Sequence, residues 1–316
     1  MYQNASWNSC PQRNLEMLPF GQRLALAVTA KKNPVCVGLD PRPSSLPERL
    51  KPAADATIEQ IVQSVESFCN EVIDAVADLV PVVKPQAAFF EELGPLGSAA
   101  LHKTVRYASQ RGLLVIMDAK RGDIGTTATA YANAYLGSGA SGTPSYSPWG
   151  ADALTINPYL GADTLEPFTQ RCAASGSGVF VLVKTSNPGS NFFQDQRLDD
   201  GRTVSQKIAD HVEALSVSTR SEFGYGDIGA VVGATYPDEL QAMRERMPST
   251  WILIPGYGAQ GGSAKDVKLG FDSRGLGAIV NSSRGIIFAY EQSKYQASEW
   301  TTSVRNATLD MIEALS

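Results

Sequence analysis

Short, nearly unbroken apolar runs recur along the chain, each followed by a polar or Gly/Pro-rich loop and then by a stretch with helical spacing. The runs cover residues 35–40, 80–84, 113–118, 153–157, 179–184, 228–232, 251–255 and 277–281. Strands of a parallel sheet read this way because helices cover both of its faces. Between them the pattern predicts helices over 58–77, 96–110, 126–136, 205–218, 237–247 and 297–314. Eight strand-then-helix units imply a closed (β/α)8 barrel or a doubly wound open sheet, and the number eight favours closure. The expected fold class is α/β: a single TIM barrel of parallel strands with an N-terminal helical extension. No low-complexity linker divides the chain, so residues 1–316 are expected to form one domain. Residues 137–150 and 185–201 read as loops, the second long enough to act as a lid.

The runs end in a second pattern. Asp40, Lys84, Asp118 with Lys120, Asn157, Lys184 and Asn281 sit at their C-terminal ends. A strand often carries one polar residue as it enters a loop, and any of these alone would be read that way. Six of eight strands ending in Asp, Lys or Asn points instead to the barrel rim where catalytic groups converge.

Composition narrows the chemistry. With 27 basic and 32 acidic residues the net charge is −5, against a nucleic-acid or membrane-surface binder, which needs a basic field. Cys10, Cys36, Cys69 and Cys172 form no C-x-x-C pair, a usage that fits a reducing cytoplasm. The first residues lack a signal-peptide pattern, and no apolar stretch approaches the ~18 residues of a membrane span. A cytoplasmic location is expected. The only histidines, His102 and His211, fall in helical segments, so zinc sites and His-based triads are poor candidates. Acid–base chemistry is left to lysines and carboxylates.

The segment after the third run, Asp118-Ala-Lys-Arg-Gly-Asp-Ile-Gly-Thr-Thr127, concentrates such groups. Residues two apart in an extended chain share a face, which would turn Asp118 and Lys120 together into the barrel mouth. Asp123 lies beyond that periodicity, at the start of the next helix. The ordinary alternative is a surface ion pair for Asp118 and Lys120 and an N-cap for Asp123.

This decapeptide resembles the D-x-K-x-x-D-I-x-x-T signature of the orotidine 5′-phosphate decarboxylase family. So do Val37-Gly-Leu-Asp40, Val83-Lys-Pro-Gln-Ala-Ala-Phe-Phe-Glu91, Ser186-Asn-Pro-Gly189, Pro255-Gly-Tyr-Gly-Ala-Gln-Gly-Gly262 and Arg284. The length, Asn157-Pro-Tyr-Leu-Gly161 and the long fifth loop are similar to the longer, bacterial-type subgroup. One departure is Ser283, where many members have glycine. The resemblance implies conversion of orotidine 5′-phosphate to UMP and CO2 in pyrimidine biosynthesis, without metal or cofactor. It implies catalytic roles for Lys120, Asp118, Asp123 and Lys84. It further implies substrate contacts from Asp40, Ile124, Thr127, Ser186, Pro255, Gln260 and Arg284. In that family the active unit is a homodimer, with Asp123, Ile124 and Thr127 reaching into the neighbouring subunit's site.

Physical chemistry constrains the roles. Loss of CO2 from C6 leaves an in-plane carbanion that no adjacent π system absorbs, so the protein must stabilise and protonate it. A lysine flanked by two carboxylates stays protonated and suits both tasks, which assigns proton donation to Lys120. Repulsion between Asp118 and a substrate carboxylate at ~4 Å is about 4 kcal/mol at an effective dielectric of ~20. That falls short of the ~20 kcal/mol a very slow reaction demands. Binding energy from the phosphate must therefore contribute, through the glycines of 256–262, Gln260 as a bridge to the pyrimidine, and Arg284. Gly256 to Gly261 also spells G-x-G-x-x-G, but it follows the seventh strand and lacks the acidic residue a dinucleotide site needs.

Rival readings are an Mg-dependent sugar-phosphate decarboxylase or aldolase of the related barrels, a Schiff-base enzyme using Lys184 or Lys84, and a non-catalytic phosphate-ligand binder.

Overall fold

The computed structural model describes residues 18–137, 147–234, 237–257, 263–296 and 299–316. From the N-terminus run α1 (Phe20–Lys31), β1 (Val35–Leu39), α2 (Ile58–Val76), β2 (Val82–Pro85), α3 (Ala87–Glu91), α4 (Gly94–Gln110) and β3 (Leu114–Arg121). Then follow α5 (Gly125–Leu136), β4 (Ala153–Ile156), α6 (Glu166–Ser175), β5 (Gly178–Lys184), α7 (Asn191–Gln194), α8 (Val204–Ser218) and β6 (Ile228–Val232). The chain finishes with α9 (Pro237–Arg246), β7 (Ile252–Ile254), α10 (Ala264–Val267), β8 (Ala278–Ser282), α11 (Arg284–Ile287) and α12 (Trp300–Leu315). The strands pair in parallel in sequence order and β8 closes on β1, the expected (β/α)8 barrel.

Period-two alternation splits the apolar residues into two cores. Val35, Val37 and Leu39 of β1, and Val179, Val181 and Val183 of β5, pack outward against the helices. Cys36, Val82, Ile116, Ala153, Phe180, Val231, Leu253 and Ile279 fill the barrel. Helix ends follow local chemistry. Capping boxes Thr57/Gln60 and Thr203/Gln206 open α2 and α8, where a side-chain oxygen and amide take up otherwise orphaned backbone groups.

The helical extension is α1, which covers the N-terminal ends of β5, β6 and β7. Phe20 lies edge-on to Phe180, with ring centroids 5.9 Å apart. Gly178 opens β5 because a Cβ there would sit 2.2 Å from the Phe20 ring. The Trp251 indole N–H donates to the Gly21 carbonyl at 3.2 Å, and the Gly21 amide donates to Asp227 Oδ1 at 2.8 Å. Arg23 pairs with Asp152 and reaches the Gly176 carbonyl.

Three cysteines, Cys36, Cys69 and Cys172, are buried free thiols. His102 is exposed at the edge of the Trp149 ring, and His211 is half-buried. Among the described residues no helix is long and apolar enough to cross a membrane.

Candidate active site

Inward alternation continues beyond the apolar layers to the C-terminal mouth, so Asp40, Lys84, Asp118, Thr155, Lys184 and Asn281 fall in phase with the residues filling the barrel. At its end β3 leaves regular geometry. Met117 pairs with Leu154 and Arg121 with Ile156, so Asp118, Ala119 and Lys120 lie opposite the single residue Thr155. Such a bulge re-aims side chains. Lys120 sits within it at φ +47°, in the left-handed region rarely entered without glycine. Asp118 and Lys120 do converge as expected, but through this bulge rather than by simple alternation.

Asp118 is the hub. Its Oδ2 accepts from Lys84 Nζ at 2.6 Å and Gln86 Nε2 at 2.9 Å, and its Oδ1 from Lys120 Nζ at 2.6 Å and Thr155 Oγ1 at 2.9 Å. Burial alone would raise the Asp118 pKa. The charges and hydrogen bonds of Lys84 and Lys120 outweigh it and hold the carboxyl well below the usual carboxylate range. Burial likewise opposes the charge on Lys84, but Asp118 and Asp40 hold its pKa above the ordinary lysine value. Both residues are nearly inaccessible, while the Lys120 side chain is about half exposed at 46%. A buried charged pair and one reachable ammonium together carry one net positive charge.

Asp123 does not join this cluster within the chain. Its Oδ1 accepts from the Ile124 amide at 2.8 Å, and among the described residues it forms no ion pair with Lys120. Nor is it an N-cap, since Ile124 precedes α5 in that position. Ile124, 60% exposed, and Thr127 lie at the surface beside it. Among the described residues of one chain, Lys120 pairs with Asp118.

The other expected residues are distributed around the rim. Asp40 Oδ1 is buried without a hydrogen-bond partner among the described residues. Ser186 packs close to Gly233, where a Cβ would meet the Ser186 Cβ at 2.9 Å. The loop carrying Ser186 is anchored by Gln194, which accepts from the Thr185 amide and donates to its hydroxyl. Lys184 is buried and pairs with Asp195, with Glu239 at 3.4 Å. Half-buried Pro255 precedes Gly256, whose φ is +82°. The Arg284 side chain is exposed and makes no hydrogen bond or ion pair among the described residues. Gln260 lies outside the described residues.

Two contributors had no role assigned from sequence, Gln86 and Thr155. Asn157, singled out from the fourth run, is exposed beyond the strand, where its Oδ1 accepts from the Tyr159 amide. Strand parity counted from Ala153 would have selected Thr155, but a threonine inside a β-branched run passes for a strand former. Among the described residues no group of three or more His, Cys, Asp or Glu side chains could hold a metal ion. An open groove of about 410 Å3 between α2 and α4, lined in part by Glu59, Glu66 and Lys103, contains none of the strand-end residues.

Charged groups gathered at the C-terminal mouth of a closed parallel barrel define a TIM-barrel enzyme. More particularly, the chain belongs to the orotidine 5′-phosphate decarboxylase / HUMPS family, whose model matches residues 33–298. It is 51% identical to orotidine 5′-phosphate decarboxylase of Rhodopirellula baltica over 307 residues, covering 95% of this chain and 99% of the relative. Identity to the Caldicellulosiruptor bescii enzyme of the same name is 38% over 309 residues, 93% and 100% of the two chains. The structure of Leishmania donovani OMP decarboxylase superposes with a TM-score of 0.72 at 32% identity, covering 94% of this chain and 97% of that one. The family resemblance read from the motifs is borne out.

Proposed function

We propose that this chain converts orotidine 5′-phosphate to UMP and CO2, a step of pyrimidine nucleotide synthesis, with Lys120 as the proton donor. The observation that carries the reading is Asp118 held between Lys84 and Lys120 at 2.6 Å on each side, leaving one ammonium accessible at the mouth. The C6–carboxylate bond breaks, CO2 leaves, and the electron pair remains on C6. The Lys120 ammonium faces that charge, stabilises it, and transfers a proton to C6. No metal or cofactor enters this sequence.

Asp118 is better assigned to holding the two lysines than to expelling the carboxylate. With four donors on its oxygens, its repulsion of a substrate anion falls below the ~4 kcal/mol of a bare pair at an effective dielectric of ~20. The unpartnered Asp40 Oδ1 suits a ribose hydroxyl, and the free Arg284 guanidinium suits a phosphate. Ser186 and Gln260 are assigned to the pyrimidine. Lys84 and Lys184, each paired with a carboxylate, are poorly placed as Schiff-base nucleophiles, which act as neutral amines.

The exposed Ile124 and Thr127, with half-buried Asp123 beside them, support a homodimer in which these residues complete the partner's site. Buried free thiols fit a cytoplasmic location. The test is loss of orotidine 5′-phosphate absorbance in EDTA, followed by mixing of inactive Asp123→Asn and Lys84→Ala chains. Wild-type turnover persisting in chelator, and partial recovery in the mixture, are expected. Abolition by chelator overturns the cofactor-free mechanism. Freely exchanging chains without recovery overturn the shared site.

A further inference from the structure

The bulge at the end of β3 creates a structural problem that one side chain solves. Three residues, Asp118 to Lys120, face the single residue Thr155, so two backbone amides of the bulge lose a regular strand partner. Both amides converge on the same atom. Thr155 Oγ1 accepts from Ala119 N at 3.1 Å and from Lys120 N at 2.9 Å. Its own hydrogen goes to Asp118 Oδ1 at 2.9 Å. A hydroxyl has one donor and two acceptor sites, so its capacity is filled, at 1% exposure.

Those three bonds hold the backbone of the proton donor and the carboxylate that orients it. Lys120 occupies a φ that a non-glycine residue keeps only where its surroundings enforce it. Arg121 adds a restraint, donating from Nη1 to the Ala119 carbonyl at 3.2 Å. We infer that Thr155 is a positioning residue of the reaction: its hydroxyl sets the bulge that aims the Lys120 ammonium and locks that ammonium's carboxylate partner in register. The inference rests on the decarboxylase reading of this site. If Thr155 served only as a buried β-former, its isostere valine would do as well.

The test compares Thr155→Val, Thr155→Ala and Thr155→Ser with wild type in orotidine 5′-phosphate turnover, UMP binding and melting temperature. Displacement of a reacting group by about 1 Å can lower the rate about 100-fold. Thr155→Val should therefore lose about 10- to 100-fold in kcat, with KM and the UMP dissociation constant within about threefold of wild type. Thr155→Ser, which keeps the hydroxyl, should recover kcat to within about threefold of wild type. Should the valine variant fail to fold, the alanine and serine variants make the same comparison. An active wild type whose valine variant keeps kcat, or serine and valine (or alanine) variants that fall equally, overturns the role of Thr155 alone. A wild type without turnover overturns the decarboxylase reading, and this inference with it.

Discussion

Two buried aspartates at opposite ends of the barrel titrate in opposite directions. Asp118, at the mouth, is driven well below the usual range because two lysines outweigh its burial. Asp227, at the floor, is pushed up to about 6, because burial there meets only the Gly21 amide and the charge of Arg23. Pairing, more than depth, decides which form of a buried carboxyl is stable. The same contrast runs through the inward positions. At the floor they are apolar and closed over by Phe20, whereas at the mouth the next inward positions are Lys, Asp and Thr that satisfy one another. Floor and mouth should therefore fail differently when altered.

The largest separation is expected between Lys120→Ala and Phe20→Ala. The first removes a half-exposed ammonium and should lower turnover by about 10⁴-fold, the combined scale of losing a proton donor and a charge stabiliser, with little change in melting temperature. The second empties a fully buried aromatic site and should lower the unfolding free energy by about 3–5 kcal/mol while kcat of the folded fraction is kept. Denaturant titration beside the turnover assay checks both. If Lys120→Ala keeps its rate, the division between the two ends is wrong.

A smaller effect concerns pH. The folded pKa of Asp227 lies above its unfolded value of about 3.9, so between about pH 4 and 6 the native state binds more protons and stability falls as pH rises. Asp227→Asn keeps a carbonyl acceptor for the Gly21 amide. It should gain about 2–3 kcal/mol above pH 7, a gain that shrinks below pH 4. Equal gains at both pH values would place the effect elsewhere.

Eight apolar runs and their spacing made the barrel legible, because burial on both faces leaves a compositional mark on every strand. Lys84, Asp118 and Lys120 were legible as strand-end polar residues. Thr155 and Gln86 were not, since neither residue type stands out within its run, and their roles arise from a bulge that spacing alone does not encode. Asn157 drew attention by ending the fourth run, yet β4 stops one residue earlier and leaves it exposed. For Asp123, sequence periodicity stopped short, and the completion proposed for it lies in a second chain.

The most direct test of the account is the distance from Lys120 Nζ to C6 of the pyrimidine in a structure with UMP bound. The account predicts about 3–3.5 Å, the range of a reactive contact, with Asp118 still bridging both lysines. An ammonium turned away from C6, with another group at that carbon, would contradict it.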